Sequence, residues 1–143
     1  MNMRRLRTGD EDIAEEMCRL FDGDGEVDAT LFLRRPEAVM FVVEDESGPC
    51  GCVYGHELVH PDGERTMLLY SLDVAEHARG RGYGKTLVTT FVDHARQTGC
   101  TEVWVLTDDE NPAALATYSS AGGQRDPMNQ VMFVWPFSQV SNS

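Results

Sequence analysis

The spacing of apolar residues predicts two helices and four strands in the first half of the chain. A helix is predicted over 11–21, with an apolar stripe at Ile13, Met17, Leu20 and Phe21. A second helix, over 28–35, is predicted to end before Pro36, because the residue that precedes a proline disfavours helical backbone. Segments of β-rich composition predict strands over 3–7, 39–44, 51–59 and 65–74. Short polar turns separate the last three strands, which are therefore expected to be antiparallel.

In the second half, helices and strands are predicted to alternate. After residue 82 a long helix is predicted from apolar residues at three-to-four-residue spacing, namely Leu87, Val88, Phe91, Val92 and Ala95. A strand over 101–107, a helix over 113–120 and a last strand over 131–137 follow. Asn111 and Pro112 are favourable start signals for the short helix. Because a helix connects them, the strands over 65–74 and 101–107 are expected to be parallel.

Length and composition indicate one globular domain that spans residues 1–143. Of the 143 residues, 41% are hydrophobic and 25% are charged, as in soluble proteins. No apolar run approaches the ~20 residues that span a bilayer, and the arginines near the N-terminus are not followed by the apolar core of a secretory signal. The four cysteines lack the spacing of a zinc site. Reduced thiols, no metal and a cytoplasmic location are expected.

The net charge of −12 bears on the partners of the protein. It repels nucleic acid and anionic membrane, so neither is expected to bind, and it attracts polycations. Acidic residues are dense between Asp10 and Asp28 and recur at Asp108, Asp109 and Glu110. The alternative is that this acidity only keeps the protein soluble.

The sign of the charge reverses in the glycine-rich segment 79–85. Its cationic residues are Arg79, Arg81 and Lys85, and its glycines are Gly80, Gly82 and Gly84. Backbone N–H groups in such a turn, together with the positive end of the following helix, form an anion site that suits a diphosphate. The segment lacks the first glycine of a Walker-type loop, where Arg79 stands, and the glycine spacing of a dinucleotide fingerprint. A plain connecting turn is the alternative.

Two motifs resemble those of the GNAT family of N-acetyltransferases. Arg79, Gly82 and Gly84 match the Arg/Gln-x-x-Gly-x-Gly/Ala pattern of that family's coenzyme A pyrophosphate loop. The family's Asn-x-x-Ala-x-x-x-Tyr-x-x-x-Gly segment is matched by Asn111, Ala114, Tyr118 and Gly122. The chain departs from the family at Thr117, which is usually leucine, and at Gly123, which is usually aromatic. The order of the predicted elements is also that of the family.

The resemblance implies a fold, a cosubstrate and an assembly. The fold is a single α/β (mixed α+β) domain, with a central mixed, twisted sheet of six to seven strands and about four helices. Acetyl-CoA is expected at the glycine loop and along the strand before it, whose backbone would pair with the pantetheine arm. The expected coenzyme-binding residues are Leu72, Val74, Arg79, Gly80, Arg81, Gly82, Tyr83, Gly84, Lys85 and Asn111. The final strand often pairs between subunits in this family, so a homodimer is expected.

Within the family, the chain most resembles the type I aminoglycoside 3-N-acetyltransferases. The similar segments are Tyr70-Ser71-Leu72-Asp73-Val74, Glu76-His77-Ala78-Arg79 and the acidic residues Asp108, Asp109 and Glu110. This resemblance implies acetylation of the 3-amino group of an aminoglycoside, an antibiotic-resistance activity, with Tyr70, Asp109 and Glu110 binding the acceptor. Charge alone fits any polycationic small-molecule amine, including a polyamine. A protein or peptide amine and a non-catalytic acetyl-CoA-binding module are further alternatives.

Attack on a thioester requires a neutral amine, and an alkylamine of pKa ~10.4 must lose a proton at pH 7. Asp108, at the end of the strand over 101–107, is the first candidate for the proton acceptor. Asp109, Glu110 or water are alternatives, as is a solvated loop without a role. By resemblance, Tyr118 is the general acid that protonates the leaving thiolate, and an ordinary core tyrosine is its alternative. A backbone N–H near Val74 would meet the developing oxyanion.

Overall fold

Five strands form one sheet in the residues that the structure, a computed structural model, describes: 1–23, 25–127 and 130–137. The strands are β1 (Asn2–Arg5), β2 (Ala38–Asp45), β3 (Gly48–Val59), β4 (Arg65–Val74) and β5 (Val103–Trp104). The helices are α1 (Glu11–Asp22), α2 (Thr30–Arg34), α3 (Tyr83–Gln97) and α4 (Pro112–Ser120). A 3-10 turn, Glu76–Ala78, joins β4 to the glycine loop.

The order of strands in the sheet is β1-β2-β3-β4-β5. β1 to β4 are antiparallel neighbours, whereas β5 is parallel to β4. The helix α3 provides the crossover between the two parallel strands, as the sequence predicts. The α/β fold class is therefore confirmed.

Helices cover both faces of the sheet. The helix α3 packs on one face, where Leu87 and Phe91 are fully buried. Burial of a side chain of this size stabilises a fold by about 1.5–3 kcal/mol. α1 and α2 cover the other face, and their core includes Met17, Val42 and Cys52. Leu20, predicted in the apolar stripe of α1, is instead 51% exposed.

Close packing of α3 on the sheet depends on Gly55 in β3. A Cβ atom at this position would lie 1.9 Å from the Leu68 carbonyl oxygen and 2.8 Å from Phe91 Cζ. Glycine therefore leaves room for β4 and for the Phe91 ring at once. The register between β3 and β4 also shifts beside Gly55, which leaves Tyr70 without an opposite residue in β3.

Two predicted strands differ from those in the structure. The strand predicted over 101–107 is present only at Val103–Trp104. The strand predicted over 131–137 is absent, although the structure describes these residues. An extended segment becomes a strand only when its N–H and C=O groups find a partner strand, and no described strand pairs with this one. The described sheet thus has five strands, where six to seven were expected.

Candidate active site

The two parallel strands separate partway along β4. β5 pairs only with Met67 and Leu68, whereas β4 continues to Val74. Over 69–74, the edge of β4 that faces away from β3 therefore has no strand partner among the described residues. Its backbone N–H and C=O groups can bind an extended ligand in the way that a neighbouring strand would.

The glycine loop brings the chain from this edge to the start of α3. Gly80 and Gly82 both have a φ of 80°, in a left-handed region that is unfavourable by roughly 1–2 kcal/mol for a residue with a side chain. A Cβ atom at either position would meet no atom within 4 Å, so backbone conformation, not space, favours glycine here. No described side chain caps α3. The first N–H groups of the helix are therefore available to an anion.

Gly84 serves a different purpose in the first turn of α3. A Cβ atom there would lie 3.3 Å from Thr117 Cγ2 in α4 and 3.9 Å from Val74 Cγ2 in β4. The helices α3 and α4 and the end of β4 meet at this glycine. The sequence motif identifies Gly82 and Gly84 alike and does not separate a conformational role from a packing role.

The basic side chains of the loop have different surroundings. Arg79 Nε donates to the Val74 carbonyl oxygen at 3.2 Å, which holds the arginine against the end of β4. Arg81 Nη1 lies 3.6 Å from Oδ2 of Asp45, at the end of β2. Lys85 is exposed. These three basic residues are sequence neighbours of the loop glycines. The loop therefore combines positive charge with the uncapped N–H groups at the start of α3.

Two hollows adjoin the end of β4. An open cleft of about 700 Å³ is lined by Leu20, Phe21, Val74, Ala75, Glu76, His77 and Arg79. A cavity of about 220 Å³ lies between the sheet and the helices α1 and α2. Apart from three aspartates, its walls are apolar or aromatic side chains and cysteines: Ala14, Met17, Cys18, Phe21, Val27, Ala29, Phe32, Met40, Cys52 and Tyr54, with Asp22, Asp28 and Asp73. Phe21 contributes to both hollows, so they are neighbours.

Asp73 is a candidate functional residue that the sequence analysis missed. It lies opposite Cys52 in the β3–β4 pair, and it lines the cavity. Burial raises the pKa of Asp73 above the ordinary value of an aspartate, although Ser71 Oγ donates a hydrogen bond to it at 3.1 Å. A carboxylate with a raised pKa is better matched to proton uptake near neutral pH.

Tyr118 lies in α4 and is half-buried against the core on the α3 side. Burial raises the pKa of its phenol, and the negative charge of Asp73 raises it further. The hydroxyl is therefore protonated at neutral pH and able to donate. The predicted proton donor and the newly identified carboxylate are close enough to interact electrostatically at the end of β4.

The acidic residues that follow β5 are exposed. Asp108 Oδ1 accepts a hydrogen bond from the Glu110 N–H at 2.8 Å, and Asp109 pairs with Arg125. Asn111 caps α4, because its Oδ1 accepts from the Ala114 N–H at 3.1 Å. None of these residues lines the two hollows. Their predicted roles in catalysis and binding stay predictions.

Tyr70 stands beside the cavity. Its ring centroid lies 5.8 Å from that of Tyr54, which is part of the cavity wall. Tyr70 is 64% exposed, so the tyrosine predicted to bind the acceptor presents its ring to solvent on the side of the sheet that carries the cavity.

In the described ranges, no group of three histidine, cysteine or acidic side chains is placed to hold a metal ion. Nor does any helix in that part of the chain have the length and apolar character needed to cross a membrane. The cysteines are free thiols, and burial raises the pKa of Cys52 to about 12. That thiol is therefore protonated and unreactive as a nucleophile.

Comparison with known proteins bears on this arrangement. Residues 4–122 match the Acetyltransferase (GNAT) family. A mycothiol acetyltransferase from Kocuria rhizophila is 36% identical over 70 residues, which are 47% of this chain and 23% of that protein. N-alpha-acetyltransferase 30 from Saccharomyces cerevisiae is 28% identical over 114 residues, which are 73% of this chain and 65% of that protein. The chain thus covers less than two thirds of the length of both relatives.

The fold itself has close counterparts among solved structures. An aminoglycoside acetyltransferase from an uncultured soil metagenomic sample, in complex with trehalose, matches with a TM-score of 0.87 and 22% identity over 96% of both chains. A second structure of that protein, in complex with sisomicin, matches with the same TM-score. At this level of identity the likeness shows a shared fold.

Proposed function

Because the chain belongs to the GNAT family of acetyltransferases, we propose that it transfers an acetyl group from acetyl-CoA to a primary amine of a small cationic molecule. One observation carries the proposal. The edge of β4 over 69–74, which has no strand partner in the part of the chain that the structure describes, leads directly into the glycine loop, and Asp73 lies on the same stretch of strand. An extended ligand with a diphosphate at one end and a reactive group at the other matches this order.

The residues present fit acetyl-CoA. The loop amides, with Arg79, Arg81 and Lys85, would hold the diphosphate. The backbone at Leu72 and Val74 would pair with the pantetheine arm. Gly80, Gly82, Tyr83, Gly84 and Asn111 complete the proposed coenzyme site. When bound, acetyl-CoA supplies an activated acetyl thioester.

Asp73 and Tyr118 are the proposed acid–base pair. Asp73 would take a proton from the incoming ammonium. Its raised pKa reduces the difference in pKa between the ammonium and the carboxyl group. Tyr118 would donate its proton to the leaving thiolate. Asp108 is the second candidate for the proton acceptor. Since Asp108 is exposed and outside the cavity, we assign it, with Asp109 and Glu110, to attraction of the cationic substrate.

The first candidate acceptor is a polycationic amine, and specifically the 3-amino group of an aminoglycoside, as in antibiotic resistance. The net charge of −12 and the acidic loop support this choice. So does the position of Tyr70, whose exposed ring could pack against a sugar ring beside the cavity.

A homodimer is also proposed. Residues 131–137 are exposed, and the side chains of Val131, Met132, Phe133, Val134, Trp135 and Phe137 are between 67% and 98% accessible. A contiguous apolar patch of this kind is typical of a protein–protein interface. A second copy of the chain is the partner proposed for it.

A thiol-release assay with acetyl-CoA and a panel of amines tests the function. The panel contains a gentamicin-type aminoglycoside, spermidine and a lysine peptide at low salt. Transfer to the aminoglycoside, with a KM that rises with salt, is the expected result. Turnover of spermidine or peptide alone would reassign the acceptor. Coenzyme binding without transfer to any amine would indicate a binding module and refute the catalytic proposal.

A further inference from the structure

One carboxylate connects the end of β2 to the glycine loop and to the 3-10 turn before it. Asp45 is the last residue of β2, and its side chain is 9% exposed. Its Oδ1 accepts hydrogen bonds from the Ser47 N–H at 2.8 Å and from the Ser47 hydroxyl at 2.6 Å. Its Oδ2 lies 3.7 Å from His77 Nε2 and 3.6 Å from Arg81 Nη1. Since Ser47 occupies Oδ1, the imidazole and the guanidinium share the other oxygen.

The hydrogen bonds of Ser47 determine which nitrogen of His77 carries a hydrogen. Ser47 holds the pKa of Asp45 below its ordinary value, so this carboxylate is ionised at neutral pH and can only accept. The Ser47 hydroxyl has one hydrogen and donates it to Asp45. It therefore accepts from His77 Nε2, which lies 3.1 Å away. A neutral His77 thus carries its hydrogen on Nε2, and a further proton binds at Nδ1 and makes the ring cationic.

The surroundings of His77 leave its ring open to proton exchange. Its side chain is 55% exposed and lines the open cleft, across which α1 presents the apolar residues Leu20 and Phe21. The charged side chains around it are Asp45 of β2, Glu76 of the same 3-10 turn, and Arg79 and Arg81 of the glycine loop. Histidine is the ordinary side chain that changes charge between pH 5 and 8. Asp45 stays ionised over this range, because its pKa is lowered.

We propose that His77 is a positioning residue of the coenzyme site, which acts through Asp45 to release Arg81 when its ring takes up a proton. The proposal rests on the acetyl-CoA binding proposed above. A cationic His77 pairs with Oδ2 of Asp45 and weakens the attraction of that carboxylate for Arg81. The guanidinium of Arg81 is then available to the diphosphate. Mild acid therefore strengthens coenzyme binding, and by linkage coenzyme binding is accompanied by proton uptake.

Calorimetric titration with acetyl-CoA at pH 5.5 and at pH 8, in low salt, tests the proposal. The ratio of the two Kd values is compared between the wild type and His77→Gln, whose amide is neutral at both pH values and can still donate to Ser47. The phosphates of the coenzyme titrate equally in both experiments, so their effect cancels. In the wild type, the Kd at pH 5.5 relative to that at pH 8 is expected to be about two- to fivefold lower than in His77→Gln. Equal ratios would overturn the proposal.

His60→Gln is the matched control for this comparison. His60 is an exposed histidine in the turn between β3 and β4, and it lines neither of the two hollows. Its substitution removes one imidazole without touching Asp45 and is expected to leave the wild-type ratio in place. Loss of the ratio in His60→Gln would show that the effect does not belong to His77.

Asp45→Asn distinguishes an effect through Asp45 from direct attraction between His77 and the phosphates. In this variant His77 still gains its proton in mild acid, but Arg81 has lost its carboxylate partner at both pH values. The ratio of Kd values is therefore expected to fall to that of His77→Gln. A ratio that stays at its wild-type value in Asp45→Asn would refute the route through Asp45.

A measurement on the free protein separates this proposal from that of the coenzyme site. The NMR signal of the Arg81 Nε–H group is expected to move between pH 8 and pH 5.5 in the wild type and to stay in place in His77→Gln. Acetyl-CoA binding with no difference between these proteins refutes the role of His77 and leaves acetyl transfer standing. If acetyl-CoA does not bind at either pH, the coenzyme site fails and the role of His77 in it fails too. An Arg81 signal that follows His77 would then still support the coupling of the two side chains through Asp45.

Discussion

Arg81 of the glycine loop pairs with Asp45 at the end of β2, with Nη1 3.6 Å from Oδ2. The same carboxylate lies 3.7 Å from His77 Nε2. Hydrogen bonds from Ser47 hold the pKa of Asp45 below its ordinary value, and the charges of His77 and Arg81 add to this effect. The proposed phosphate loop is therefore held against the end of β2 by a carboxylate that would compete with the phosphates of a bound coenzyme for Arg81.

Asp45→Asn is expected to tighten acetyl-CoA binding by about two- to fivefold, the range of a weak ion pair near the protein surface. The substitution removes a negative charge beside the loop and releases Arg81. Calorimetry at low salt measures the change. Asp93→Asn is the control, because it removes the exposed pair of Asp93 with Arg96 on α3. Weaker binding in Asp45→Asn would show that Asp45 positions Arg81 and does not compete for it.

Gly82→Val is expected to abolish coenzyme binding while the protein stays folded. Its φ of 80° is unfavourable for a β-branched residue, and a shift of the loop would move the amides that bind the diphosphate. Gly63→Val is a matched control, since Gly63 has a φ of 92° and equally open surroundings in the β3–β4 turn. Both variants should lose similar stability, roughly 1–2 kcal/mol. Retained binding in Gly82→Val would exclude the loop as the phosphate site.

Tyr118→Phe is expected to lower kcat by roughly 10²-fold or more, with little change in the Kd for acetyl-CoA. The variant keeps the half-buried ring and loses the proton that Tyr118 would give to the thiolate. Steady-state kinetics and calorimetry measure the two quantities, and thermal unfolding verifies that packing is intact. An unchanged kcat would leave Tyr118 with a packing role alone.

Asp73→Asn is expected to lower kcat/KM and to remove the acidic limb of its pH profile. The wild-type limb should lie above the pKa of an ordinary aspartate, because burial raises the pKa of Asp73. Asp108→Asn is the comparison, expected to raise the KM of a polycationic amine without changing the limb. Loss of the limb in Asp108→Asn, with an unchanged profile in Asp73→Asn, would return the role of base to Asp108.

The same variant has a second expected effect, on stability. A raised folded-state pKa means that the folded protein binds more protons than the unfolded chain between the two pKa values. The contribution of Asp73 to stability therefore falls as pH rises through that window. Asp73→Asn is expected to raise the melting temperature at pH 7 and to have less effect at pH 3. A gain in stability accompanied by a loss of activity would exclude unfolding as the cause of that loss.

Substitution of Phe133 and Trp135 by serine is expected to shift the protein from dimer to monomer in light scattering. Their rings lie 6.4 Å apart and both are 75% exposed, so they form the centre of the patch over 131–137. Leu31→Ser is the control, an exposed apolar residue on α2. A monomeric wild-type protein would contradict the proposed dimer.

The fold class could be predicted from sequence because its signals are local. Periodicity and turn residues locate α3, the three antiparallel strands and the crossover to β5, and each signal depends on a few neighbouring residues. The strand over 131–137 was wrongly predicted for the same reason. Its composition is that of a strand, but strand formation depends on a partner elsewhere in space, which composition does not specify.

The glycine loop could also be predicted from the sequence, but the candidate role of the Asp73 carboxylate could not. Backbone positions with a φ near 80° favour glycine, and the sequence has glycine at both such positions of the loop, 80 and 82. The proposed role of Asp73 could not be predicted in this way. It depends on the burial of Asp73 beneath α1 and on its electrostatic interaction with Tyr118, and both result from packing between distant segments. The alternation in Ser71-Leu72-Asp73-Val74 was the available signal. It places Asp73 on the face opposite Leu72 and Val74, a polar residue on a side of the sheet that a helix covers.

An unpaired strand edge is a template on which any extended chain can form hydrogen bonds, including an unfolding neighbour. In this protein the edge of β4 over 69–74 is the proposed binding site of the pantetheine arm. A bound coenzyme would therefore occupy the same backbone groups that an aggregating strand would use. Bound acetyl-CoA would then protect this edge of the sheet from aggregation, in addition to donating its acetyl group. Aggregation on storage should accordingly be slower in its presence, and amide hydrogen exchange at the edge should slow with it.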